Sequence, residues 1–386
     1  MIITAPLIHD GTRFLPEGSA LHLSEEGIIT EILTEAPGDS LVFEDVICPG
    51  FINAHCHLEL SHLKGAIPEG LGLMGFLGRV PATRTLATTE EKRLARHAAF
   101  QAMLEEGVVA VGDICNTSDT LDLRAQGRMH FHSFVEALGF SQDLAGKSFA
   151  GAEATFNQFV NQDSERAILR QTIVPHAPYS VAPALFRLIN AHRPGSLLSI
   201  HNQESEDEDA YYFDKSGGVN SLLSGFGIDT AWFEPSGKKA LPTYLEWLSP
   251  DHPMLFVHNT YTDKEELELV KGHFQSAYWC LCPNANLYIE GKLPDVNMFI
   301  DSDAAICLGT DSLSSNHQLS IFSEVLTLNR SFPELGWERL LRWATSGGAR
   351  ALQMEDRVGS LKPGMQPGIL QLRIKTDRPA VKRVDG

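Results

Sequence analysis

The hydrophobic pattern changes character near residue 48. Before that point, short apolar segments such as Ala20–Leu23 and residues 27–33 are separated by Gly, Pro and Asp, which predicts short strands joined by turns. Beyond it, short apolar runs alternate with longer helical stretches, the pattern of βα units around a parallel sheet. Strands are expected at 51–57, 108–114, 130–136, 172–176, 197–202, 254–259, 276–282 and 304–310. Eight parallel strands close a (β/α)8 barrel. Residues 90–106 carry apolar positions at helical spacing (Leu94, Ala98, Ala102) and stop at Gly107, and 337–352 is expected to be a second helix. The tail returns to the character of the N-terminus, with a strand over 369–374. The expected fold class is α/β: a (β/α)8 TIM-type barrel over 49–356, with a small β-sandwich domain built from both chain termini, 1–48 and 357–386.

Composition narrows the function classes. A chain of 386 residues with 43% hydrophobic and 21% charged residues is an ordinary soluble globular protein in make-up. A net charge of −18 argues against nucleic acid and anionic membranes, both of which need basic surface. No apolar run approaches the ~20 residues of a membrane span. Met1-Ile2-Ile3-Thr4 lacks the basic start of a signal peptide, so a cytoplasmic location is expected. Six cysteines in a chain this long are not a disulfide framework. Cys48, Cys115 and Cys307 lie in apolar runs and read as small buried hydrophobes. Cys280-x-Cys282 has strand spacing but no second thiol pair to complete a metal site.

The chemistry-bearing residues cluster. Pro49-Gly50-Phe51-Ile52-Asn53-Ala54-His55-Cys56-His57 ends the first barrel strand with two histidines at i and i+2. On a strand these share a face and can aim at one metal ion. His176 ends the fourth strand, His201 the fifth, His258 the sixth and Asp311 the eighth. Barrel enzymes carry their chemistry at these C-terminal strand ends. A lone strand histidine is usually a hydrogen-bonded core residue. Several at equivalent positions, with an aspartate, read instead as a metal centre. Glu204 follows His201 by three residues in an acidic run through Asp209, so part of that run can face the site.

With these segments in view, the chain resembles the amidohydrolase superfamily, in its metal-dependent aminohydrolase (deaminase) branch. The resemblance covers nearly the whole chain. It is carried by the Pro-Gly-Phe-Ile-Asn-Ala-His-Cys-His opening, His176-Ala177-Pro178-Tyr179-Ser180, His201-x-x-Glu204, Gly309-Thr310-Asp311-Ser312 and the Gly359-Ser360-Leu361-x-Pro363-Gly364 close. It implies that His55, His57, His201 and Asp311 hold one divalent metal, Zn²⁺ or alternatively Fe²⁺. Three imidazoles and a carboxylate suit either ion. No lysine stands at the end of the fourth strand, which favours one metal over two. The resemblance further implies that Glu204 protonates a ring nitrogen, His258 stabilises the developing charge, Asp311 takes a proton from water, and His176 contacts substrate.

The implied reaction is hydrolytic deamination of an aminated N-heterocycle with release of ammonia. His57-Leu58-Glu59-Leu60-Ser61 and the His201 and His176 segments look most like aminofutalosine deaminases, which act on a 6-aminopurine nucleoside bearing a benzoate tail; adenosine derivatives are the neighbouring substrates. Asn284, Asn286, Tyr288 and Glu290 are expected on a flexible loop after the seventh strand, with Asn286 a candidate substrate contact. Lys64, Arg79 and Arg84 read as surface cations with an anionic tail as a second option. Small-molecule substrate, no nucleic acid, no membrane and a homodimer complete the expectation. The alternatives are hydrolysis of another C–N or C–Cl bond, of cyclic-amide or chlorotriazine type, at the same site, and a non-catalytic metal-binding protein. Two departures from the family pattern stand out: Cys282-Pro283-Asn284-Ala285-Asn286 where many relatives have Ser before the last Asn, and Gln366-Pro367-Gly368-Ile369 where many have Ala-Asp.

Overall fold

The computed structural model describes residues 1–376 and 378–384; residues 377, 385 and 386 of the expected small domain lie outside the described residues. Six strands come first: β1 (Ile2–Thr4), β2 (Leu7–Ile8), β3 (Ala20–Leu23), β4 (Ile29–Leu33), β5 (Leu41–Val42) and β6 (Val46–Pro49). Eight parallel strands follow: β7 (Phe51–Cys56), β8 (Val108–Cys115), β9 (His130–Ala137), β10 (Leu169–Pro175), β11 (Leu198–Asn202), β12 (Met254–His258), β13 (Ala277–Leu281) and β14 (Ala305–Leu308). Two more close the chain: β15 (Ile369–Arg373) and β16 (Ala380–Arg383). Each of the eight expected parallel strands therefore forms, within a few residues of its expected ends.

The eight are not one continuous ladder. They form two four-stranded sheets, β10-β9-β8-β7 and β11-β12-β13-β14. Their meeting edges are stitched by a few main-chain hydrogen bonds at the strand ends. The His55 carbonyl accepts from the amides of Thr310 (3.0 Å) and Asp311 (3.1 Å), and the His176 carbonyl from the amide of His201 (3.0 Å). Asn53 reinforces the first seam: its Nδ2 donates to Thr310 Oγ1 at 2.7 Å and its Oδ1 accepts from the Thr310 amide at 3.1 Å. Gly309 permits that approach, since a Cβ there would lie 2.8 Å from both Cys280 Sγ and His55 Cβ.

Helices connect the strands because their apolar stripes need the sheet faces. Thr89–Glu105 starts on a capping box formed by Thr88 and Glu91, and Lys264–His273 on one formed by Asp263 and Glu266. The expected helix over 337–352 is broken into Gly336–Arg342, a π turn at Trp343–Gly347, and Gly348–Ala351. The cause is close packing. A Cβ on Gly347 would sit 2.6 Å from the Ile306 carbonyl, and one on Gly348 would sit 2.7 Å from Ile52 Cβ. The segment expected as a loop after β13 is instead a helix, Pro283–Glu290, with proline in its first turn, where its missing N–H costs nothing.

Strands from both ends of the chain pair. β15 runs antiparallel to β6, matching Ile369 with Pro49, in the sheet β16-β15-β6-β2; the other terminal sheet is β4-β3-β1-β5. Ile3, Ile8, Leu21, Ile29, Ile47 and Ile369 share one apolar cluster. All six cysteines are buried and free. Among the described residues, no helix is long and apolar enough to cross a membrane.

Candidate metal centre and cavity

The C-terminal ends of β7, β11, β12 and β14 converge on one point. His57 Nε2 lies 3.2 Å from His55 Nε2, 3.3 Å from His201 Nε2 and 3.2 Å from Asp311 Oδ1, and His55 Nε2 lies 3.5 Å from that same oxygen. The ligand atoms of His55, His201, His258 and Asp311 all fall within 4.8 Å of one another. Five of the sequence-derived residues therefore meet at one place.

Their environment suits a cation. Burial pulls the His57 imidazole down to about 3 and His176 to about 4, and lowers His55 and His201 as well, so these rings are neutral at pH 7. Burial opposes ionisation of Asp311, but His55, His57 and His258 outweigh it and hold the carboxyl well below its usual range. Neutral rings facing an ionised carboxylate are the donor set a divalent metal takes. The outer nitrogens of His201 and His258 are tied down. His201 Nδ1 donates to the His176 carbonyl at 2.7 Å, and His258 Nδ1 donates to Asn286 Oδ1 at 2.9 Å. Those bonds leave each Nε2 lone pair for the centre. Asp311 Oδ2 accepts from the Ser315 hydroxyl.

A cavity of about 450 Å³ opens beside the cluster, within the roughly 300–1,000 Å³ of small-molecule sites. His57, His176, His201, Glu204, His258 and Asp311 line one end. Glu204 is 6% exposed, and its Oε2 lies 3.8 Å from His258 Nε2. Burial pushes its carboxyl up to about 7, against the downward pull of His258. It therefore carries a proton over part of the physiological range.

Backbone strain concentrates here. Gln203, His258, Asn259 and Asp311 all have positive φ, between 44° and 72°. Such values are uncommon for residues with a Cβ and are favoured where the surroundings enforce them. Asn259 is held by its Nδ2, which donates to the carbonyls of Phe256 (2.9 Å) and Cys280 (3.2 Å).

Asn286 sits elsewhere than a substrate contact would. It is 1% exposed on the helix after β13, behind His258 and off the cavity wall. Asn284 is off the cavity wall, bonded to the buried Glu324. Lys64 and Arg79 are exposed, whereas Arg84 lines the cavity. One residue escaped the sequence reading. Glu136, at the end of β9, faces the cavity 3.5 Å from His201 Nδ1; burial pushes it up to about 8, against the hydrogen bond from Asn116. An acid closing an apolar run at a strand end was the signal, the same one that marked Asp311. The ligand-type atoms of Glu136, His176 and His201 also lie within 4.8 Å of one another. His201 Nδ1 is already spent on the His176 carbonyl there.

Comparison with known proteins gives matches across most of the chain. The model of the Amidohydrolase family matches residues 46–372. An adenosine deaminase of Helicobacter pylori is 32% identical over 317 residues, covering 81% of this chain and 75% of that protein. The crystal structure of Helicobacter pylori aminofutalosine deaminase in complex with methylthio-coformycin superposes with a TM-score of 0.80 at 26% identity, covering 98% of this chain and 93% of that one. An adenosine deaminase from Xanthomonas campestris with bound zinc shares the fold, with a TM-score of 0.73 at 23% identity over 97% of this chain and 85% of that one. The architecture is α/β of the TIM-barrel type.

Proposed function

This chain belongs to the amidohydrolase family, and from that premise we propose that it is a metal-dependent aminohydrolase. Its reaction is hydrolysis of the C–N bond to the amino group of a 6-aminopurine nucleoside, such as aminofutalosine or an adenosine derivative, releasing ammonia. The observation that carries this reading is Glu204: a buried carboxyl that takes up a proton near neutral pH, facing the same cavity as the histidine cluster. A deaminase needs such an acid, because a ring nitrogen must be protonated before the adjacent carbon accepts water.

His55, His57, His201 and Asp311 would hold one divalent metal, Zn²⁺ in our reading, as in the zinc-bound relative from Xanthomonas. Bound there, the metal would lower the pKa of water toward neutrality. In this reading Asp311 accepts the proton of the attacking water, and its hydrogen bond from Ser315 supports that role. His258 hydrogen-bonds the oxygen that adds to the ring carbon in this reading, and its bond to Asn286 supports that orientation. Glu204 gives its proton to the ring nitrogen. His176, partly exposed on the wall, contacts the substrate. We assign Asn286 the task of orienting His258.

The finer fold belongs to the same reading. We read the two parallel sheets as one (β/α)8 barrel over 49–356, whose seams are drawn tight at His55 and His176. We read 1–48 with 357–386 as a small β-sandwich domain. The homodimer implied by the resemblance is open to light scattering.

The test is ammonia release by zinc-loaded protein from aminopurine nucleosides, aminofutalosine, cytosine, guanine and a chlorotriazine. Release from a 6-aminopurine nucleoside that Glu204→Gln abolishes supports the reading. Chloride release without ammonia would instead favour hydrolysis of a C–Cl bond at the same centre.

A further inference from the structure

The cavity lining is of two kinds. Apart from the histidine cluster and its acids, most of the lining is apolar. Leu73, Phe76 and Leu77 come from the helix Gly72–Leu77. Leu222, Phe226 and Ile228 face the same space from the helix Gly218–Gly225 and the chain after it. Leu138, just past β9, adds to the apolar lining. A nucleoside whose purine meets the histidine cluster would leave its 5′ substituent to the rest of this lining, which is mostly apolar.

Arg84 is the only Lys or Arg among the described residues lining the cavity. Its charge is already committed. Nη2 donates to Glu59 Oε1 at 2.5 Å, and Nη1 to Asn116 Oδ1 at 3.3 Å. Glu59 is 5% exposed. Its other oxygen accepts from the amides of Asn116 and Thr117, both at 3.0 Å, and from the Thr117 hydroxyl at 2.9 Å. That carboxylate is pinned in place and cannot follow Arg84. Pulling Arg84 toward an anionic ligand would strand a buried charge, the costly half of breaking a buried ion pair. The remaining carboxyl groups on the cavity wall, Glu136, Glu204 and Asp311, repel or ignore an anion. A carboxylate meeting the apolar lining would lose its water and gain no cation.

Resting on the aminohydrolase reading, we infer that this chain selects 6-aminopurine nucleosides whose 5′ substituent is uncharged and apolar, and rejects those bearing a carboxylate there. Arg84 neutralises Glu59 and does not serve as an anion receptor. Of the two substrate kinds above, this favours an adenosine derivative over one with a benzoate-type tail.

The experiment compares kcat/KM of the zinc-loaded enzyme for 5′-methylthioadenosine and for an adenosine bearing a 5′-carboxyalkylthio group of similar length. The neutral tail should win by roughly 100-fold. Glu59→Gln, which frees the Arg84 charge, should narrow that ratio at least about tenfold. Leu138→Arg should narrow it independently, by placing an unpaired cation in the same wall. A wild-type ratio near one, or one favouring the carboxylate, overturns the inference and leaves the aminohydrolase reading intact, since ammonia is still released. A ratio that neither variant moves overturns it too. No ammonia from either nucleoside, or from adenosine, removes the underlying reading with it.

Discussion

The terminal sheets and the parallel strands are both built from short apolar segments, yet their buried positions are put to opposite use. In the terminal sheets the buried residues are Ile3, Ile8, Leu21, Ile29, Ile47 and Ile369, packed against one another. At the strand ends of the parallel sheets the buried residues are His55, Glu204, His258, Asn259 and Asp311, and four of the residues there hold positive φ. The first region gains stability from apolar area removed from water. The second carries desolvated titratable groups and strained backbone, at roughly 1–3 kcal/mol for each strained residue. Stability and chemistry are thus separated in space: one end of the chain's fold supports what the other end costs.

Asp311→Asn tests that separation most severely. It removes the ionised carboxylate from the donor set, so zinc content by elemental analysis should fall together with turnover, to background. Glu204→Gln should lower kcat by about 10²–10⁴ while zinc content stays at the wild-type level. Zinc loss in that variant would contradict the assigned proton-transfer role and put Glu204 among the ligands. Asn286→Ala leaves His258 without its orienting partner. Activity should drop roughly 10–100-fold, the usual scale for such supporting contacts, with unfolding midpoints near wild type.

The opposite behaviour is expected of Ile47→Ala, in the terminal core. Chemical denaturation should report a loss of about 2–5 kcal/mol, with kcat of the remaining folded enzyme within about twofold of wild type. A large drop in kcat would show that the two regions are coupled.

The pH dependence sharpens the contrast further. Burial raises Glu204 to about 7, and the acid must hold its proton to act, so kcat/KM should decline as pH rises through about 7. Glu324, bonded to Asn284 and Asn316, is raised by burial to about 8. The folded state therefore binds that proton more tightly than the unfolded chain. Its contribution is full below the ordinary carboxyl value of 4.5 and is lost as pH rises through about 8. Glu324→Gln should flatten the fall in thermal midpoint between about pH 4.5 and about pH 8. An unchanged slope would mean the group does not titrate in that window.

Much of the site was legible because strand periodicity is local. His55, His57, His201, His258 and Asp311 could each be placed at a strand end from the residues around them. Glu136 follows the same rule, yet one acid after an apolar run looks like a surface residue until its neighbours are known. Arg84 was read as a surface cation, since nothing nearby in sequence announces that Glu59 lies buried 25 residues away with its other oxygen already bonded. Asn286 was expected on a loop facing substrate. The helix Pro283–Glu290 turns it behind His258 instead.

By itself, the sequence determined the eight parallel strands, the order of ligand-type residues along them and the end of the sheet to which they belong. These depend on side-chain alternation and on turn residues, both of which act over a few positions. Only the tertiary structure decided which edges meet, and how. The two seams join residues far apart in the chain, through the carbonyls of His55 and His176, and they place Asp311 and His201 at the same time. Burial also belongs to the tertiary level; it is the chief cause that moves Glu204 toward neutrality, and the fold is what brings Arg84 to Glu59. Desolvation is the sum of everything packed around a group, and no stretch of sequence contains that sum.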